Sequence, residues 1–146
     1  MKPILITLIA LLFSSCANSD EYNQFYKTFK NYKEANARNK SWFPDLIQKD
    51  AFNIQSQSRL SKLSSFSKFG IKNTKQYEEL LDSNQYTKLH KIEFIKKSEA
   101  FKSIRPNWFP KTDSIITFSQ EMFFKKERTC ILLNKKDKVI LAITSN

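Results

Sequence analysis

From Asp20 onward the apolar positions first follow a helical period. Tyr22, Phe25, Tyr26, Phe29 and Tyr32 fall at i, i+3, i+4, i+7 and i+10, one face of a 3.6-residue turn. Ser19 or Asp20 can cap this segment, and Lys27, Lys30 and Lys33 ride off the stripe. The pattern predicts a helix running to Asn39-Lys40-Ser41, where Trp42-Phe43-Pro44 ends it. The same triplet returns as Trp108-Phe109-Pro110. Proline cannot continue a helix and pushes its predecessor into extended geometry, so each triplet is expected to mark a crossing from helix to strand. Strand-like runs follow both: 51–58 and 64–71 after the first, then 114–124, 128–133 and 138–144 after the second. Asn134-Lys135-Lys136-Asp137 reads as the loop of a hairpin. Between the halves Asn73 or Thr74 caps a short helix over 75–81, with Gln76 placed for a capping box. Residues 85–101 read mostly as helix, although Ile92 and Phe94 alternate as in a strand.

The element order predicts an α+β domain: an antiparallel sheet of about five strands with two or three helices packed on it. Helix, WFP and two strands recurring in that order suggest a decayed αββ duplication, although two matches of three residues do not establish a repeat. The aromatic stripe at 22–32 has two readings. It packs on the domain's own sheet, or it lies on a membrane with its lysines against lipid phosphates.

The chain of 146 residues is the length of one domain, and its first residues change the picture. Met1–Cys16 reads MKPILITLIALLFSSC, a short positive start and then an apolar run broken only by Thr7. A helix over 4–13 is about 15 Å long, half the roughly 30 Å of a hydrocarbon core, so the run reads as a signal peptide and not a span. Phe13-Ser14-Ser15-Cys16 resembles the bacterial lipobox, where signal peptidase II cleaves before a lipid-bearing cysteine; Phe13 stands where that family usually has leucine. The resemblance implies residues 1–15 as signal, 16–20 as a lipidated tether and 21–146 as a single domain. It also implies that Cys16 carries the lipid, two or three acyl chains that hold the protein at the membrane. Ala17 after the cysteine favours the outer membrane over the cytoplasmic one. Ser15-Cys16-Ala17 also has the form of an ordinary secretory cleavage site, which would discard Cys16. The stretch Trp42–Ile47, with Ala51 and Ile54 after it, resembles an aromatic-proline turn of small bacterial lipoproteins with no known activity; Gln48 replaces a second proline of that pattern.

One glycine, one histidine and two cysteines exclude much. Gly70 alone builds no phosphate loop, dinucleotide fingerprint or nucleophile elbow. His90 and Cys130 alone make no zinc site, and no cofactor is expected. With Cys16 given to lipid, Cys130 has no partner in the chain and reads as a small buried hydrophobe. A Cys130–His90 pair, oriented by Asp82 or Glu93, lacks local support, since the cysteine sits in an apolar run away from any helix N-terminus. Glu78, Glu79 and Asp82 read better as a solvated helix face than as paired catalytic acids. The protein is therefore expected not to be an enzyme.

Twenty-five Lys and Arg against fourteen Asp and Glu give a net charge of +11. The basic residues are scattered and mostly lysine, unlike a nucleic-acid binder. Anionic lipid headgroups or an acidic protein fit better, although the charge also serves solubility alone. The two WFP triplets are the remaining candidates for a binding surface: Trp42, Phe43, Trp108 and Phe109, rimmed by Arg105 and Lys111. Their alternative role is to plug the ends of the sheet. The sequence thus points to a membrane-anchored envelope lipoprotein acting as a small binding or accessory domain. The second reading is an immunity or inhibitor lipoprotein that neutralises an exported toxin or hydrolase.

Overall fold

A computed structural model of the chain describes residues 20–145 apart from 40, 41, 84, 85 and 120. The leader and Cys16 lie outside the described residues. Seven strands form one antiparallel sheet: β1 (Glu21–Thr28), β2 (Phe52–Arg59), β3 (Ser64–Gly70), β4 (Thr87–Lys88), β5 (Glu121–Lys126), β6 (Thr129–Asn134) and β7 (Val139–Ser145). Four helices join them: α1 (Phe29–Glu34), α2 (Thr74–Asp82), α3 (Lys91–Ala100) and α4 (Thr112–Thr117), with short 3-10 turns at Ala37–Asn39 and Lys102–Ile104. The class is α+β, as expected, with two strands more than the sequence pattern gives.

The strand order is β1-β2-β3-β7-β6-β5-β4. Side chains alternate across a strand, so Ile131 and Leu133 face one way while Cys130 and Leu132 face the other. The buried residues divide accordingly into two clusters. One contains Ile131, Leu133, Ile140, Phe69 and Ile54 under α1, the first WFP loop and α2, which contribute Tyr32, Phe43, Leu46, Tyr77 and Leu81. The other contains Leu132, Leu141, Ile143 and Phe66 under α3, the second WFP loop and α4, which contribute Phe94, Ile104, Phe109 and Ile115. Helices therefore cover both faces of the sheet. The first half runs strand, helix, 3-10 turn, WFP, then two strands; the second follows the same order with α4 inserted after its WFP, and the halves meet at β7. A two-fold axis along β7 would generate this arrangement, since it swaps left for right and face for face while keeping strand direction. The element order has this two-fold form, with a leading strand in each unit and α4 in the second alone.

The first helix is a correction. Residues 21–28 form a strand paired with β2 from Glu21↔Arg59 to Thr28↔Phe52, and only 29–34 are helical. The aromatic residues fit a strand as well as a helix, and β2 supplies the partner that decides between them. Tyr22 and Phe25, drawn to one face by a helical period, point to opposite faces of the strand and are 56% and 60% exposed. Only Tyr26 and the residues after it reach the core. Thr28 then caps α1, its Oγ1 accepting from Asn31 N–H at 3.2 Å.

The second correction falls within 114–124, expected as strand: 114–117 belong to α4, and the strand β5 begins only at Glu121. There Lys91 Nζ reaches the carbonyl of Ile116 at 2.9 Å and pairs with Glu121, satisfying the end of a helix that two isoleucines alone would not favour. The second WFP therefore leads into a helix, whereas the first leads through a loop to β2. The other local signals hold. Asn73 Oδ1 accepts from Gln76 N–H at 3.3 Å at the start of α2. Asn134 and Asp137 bond each other across the β6–β7 turn.

With a single glycine, the tight turns fall to other residues. Leu63, Glu127 and Lys138 adopt φ of 43°, 50° and 52° at the tips of the β2–β3, β5–β6 and β6–β7 hairpins, and Asn36 and Asn53 are also left-handed. Gly70 is kept for a different reason. Phe52 lies across it from the neighbouring strand, and a Cβ there would sit 2.4 Å from the ring.

Candidate functional site

The structure separates the candidate residues into two clefts. The first is about 380 Å³, lined by Trp42, Phe43, Pro44, Asp45 and Tyr86 on one side and by Lys126–Thr129, Ile131 and Thr144 on the other. Phe43 is 7% exposed and stacks edge-on against Tyr32, ring centres 5.2 Å apart. It anchors the corner while Trp42 stays half-buried at the opening. Asp45 collects the nearby charge: Arg38 Nη2 donates to it at 2.6 Å and Lys126 Nζ at 3.5 Å. The hydrogen bond from Arg38 holds the Asp45 carboxyl below its usual range. Lys126 also lies over the Tyr86 ring, 5.4 Å from its centre.

The second cleft is about 520 Å³. Trp108, Phe109, Phe118, Val139 and Leu141 make it apolar, and Lys68 and Lys111 stand at its rim. Phe109, 2% exposed, packs edge-on against Phe66 at 4.8 Å. Trp108 is half-buried beside it and also faces a groove toward Phe25 and Gln57. Among the described residues neither Lys68 nor Lys111 has an acid within ion-pair distance. The one acid in the lining, Asp137, accepts from Asn134. Arg105 is not at the rim. Its Nη1 donates to Ser98 Oγ at 3.1 Å and Glu99 Oε1 at 3.3 Å on α3 and to Thr112 Oγ1 at 3.4 Å, tying α3 to the start of α4.

Trp42, Trp108 and Lys111 therefore line open surface, whereas Phe43, Phe109 and Arg105 serve the core and its struts. Sequence reading missed Tyr86 and Lys126 at the first cleft and Lys68, Phe118 and Val139 at the second. No local motif marks them, because each comes from a different element and only the sheet order brings them together.

Cys130 is buried among apolar side chains, and burial pushes its thiol up, away from the reactive thiolate. His90 begins α3, where its N–H donates to Glu93 Oε2 at 3.0 Å. Among the described residues no cluster of three or more His, Cys, Asp or Glu is placed to hold a metal ion. Among them, too, no helix is long and apolar enough to cross a membrane.

Residues 20–70 match the family model of the YbbD head domain. The match begins just before β1 and ends with β3, so it takes in the first half of the sheet, α1 and the first WFP triplet. The half with the second cleft lies beyond the YbbD head match. No curated protein and no solved structure matches the chain.

Proposed function

We propose that the chain is a non-enzymatic lipoprotein of the bacterial envelope, tethered through Cys16 and binding an acidic partner at its second WFP corner. The observation that carries the binding half is the cleft itself. An apolar floor bearing Trp108 and Phe118, with two lysines free of acids at its rim, suits a ligand that brings an apolar group and a negative charge together. The net charge of +11 draws such partners toward the surface. The tether half is supported by the order of residues at Phe13–Cys16. It places the domain where anionic headgroups and exported proteins are the available anions.

Two measurements test the two halves separately. Labelled palmitate is expected in the wild type and absent from Cys16→Ala; equal labelling overturns the tether. Affinity capture from detergent-solubilised membranes is expected to retain a stoichiometric acidic protein that Trp108→Ala with Lys111→Glu releases. Retention of the same partner by that double variant overturns the site. A captured toxin or hydrolase selects the immunity role within the same reading.

A further inference from the structure

The sheet has two edges, and they are unlike. β4 is two residues long, too short to offer a template. β1 is eight residues long, and among the described residues no strand pairs with its outer side. Native edges of this length are normally blunted by lysine and other charges, proline or a bulge, and β1 carries charge only toward its ends, at Glu21 and Lys27. β1 has no proline, and its register with β2 is unbroken from Glu21 to Tyr26. It exposes Tyr22 on one face and Phe25 on the other.

We propose that β1 pairs with β1 of a second copy of this chain, making one continuous antiparallel sheet across a two-fold axis at Gln24. The axis must stand perpendicular to the sheet, so paired residues have to share a face, and only registers that centre on a residue are allowed. Centring on Gln24 uses the strand over nearly its whole length. Glu21 then meets Lys27 of the other copy, Tyr22 meets Tyr26, and Asn23 meets Phe25. Opposite charges and aromatic pairs directly across a ladder are the stabilising combinations. Both complementary contacts occur twice, once on each side of the axis. Centring on Asn23 sets Glu21 against Phe25, and centring on Phe25 leaves Glu21 beyond the paired region. The charges at the two ends of the strand therefore select the register. Lys27 is exposed and makes no ion pair among the described residues, so it can join the Glu21 carboxylate, which already accepts from Arg59 at 2.7 Å and from Asn23 at 2.9 Å. The proposal does not rest on the envelope reading.

Cysteine cross-linking in the full chain tests it. Directly opposed Cα atoms in an antiparallel ladder are about 4.5–5.5 Å apart, within disulfide reach, whereas diagonal neighbours are about 7–8 Å apart and are not. Gln24→Cys is expected to give a reducible dimer on a non-reducing gel, and Phe25→Cys to give none. The wild type, with Cys16 and Cys130, sets the background. Cross-linking through Phe25→Cys in place of Gln24→Cys overturns the register, and no dimer from either variant overturns the pairing. Sedimentation of the native chain is expected to show a dimer that Lys27→Glu shifts to monomer, because two carboxylates then face each other at each end. A monomeric wild type, or a dimer indifferent to Lys27→Glu, also overturns the proposal.

Discussion

At the first WFP corner Asp45 draws in Arg38 and Lys126, and the charge at the cleft is spent within the protein. At the second corner Glu99 and Arg105 bond each other behind the triplet, and Lys68 and Lys111 are left facing the cleft. The triplets are otherwise used alike. In both, phenylalanine is the anchor and tryptophan remains at the surface. The difference teaches that a repeated motif sets the shape of a corner, while the charges brought by distant strands decide whether that corner can attract an anion. The first corner lies in the half that matches the YbbD head domain; the second does not.

The comparison is broken most strongly at the anchors. Phe43→Ala and Phe109→Ala should each cost about 3–5 kcal/mol in urea unfolding, with Phe109 the costlier because it is the more deeply buried. A near-neutral result at either would show that its corner is not held by packing. A smaller effect of opposite sign is expected at the hairpin tips. Leu63→Gly and Glu127→Gly remove left-handed strain at corresponding turns, and each should raise stability by about 1 kcal/mol; thermal unfolding of both variants checks that the turns are equivalent. The smallest effect sharpens the electrostatic contrast. Asp45 is exposed enough that its pair contributes under about 1 kcal/mol. Its folded pKa is lowered, so this stabilisation is present above the ordinary value of 3.8 and is lost as pH falls through the folded value. Wild type and Asp45→Asn should therefore differ slightly at neutral pH and converge in acid. The variant should also remove one negative charge beside Arg38 and Lys126, so that an anionic dye binds the first cleft more tightly than before.

Much of the fold was legible because its signals are local. The cap at Asn73, the turn at Asn134–Asp137 and the apolar run around Cys130 each depend on neighbours a few residues away. The errors arose where a distant partner decides. The spacing of Tyr22, Phe25 and Tyr26 suits a helix until β2 is present to pair with it. Ile115 and Ile116 suit a strand until Lys91 satisfies the carbonyls at the end of α4. The site was legible as two triplets but not as two clefts of different charge, because Lys68, Phe118 and Lys126 lie on elements far from either triplet. Periodicity also gave no hint that Arg105 would turn inward to Glu99.

The placement of β7 has a consequence for how the molecule is made. Of the seven strands, the one that joins the halves is the last synthesised, and its contact with β3 closes a long span of intervening chain. While translation is still short of Val139, two incomplete sheets with exposed inner edges must wait side by side, a slow and aggregation-exposed stage. Truncation before that strand would leave two part-sheets on one chain with no strand to join them.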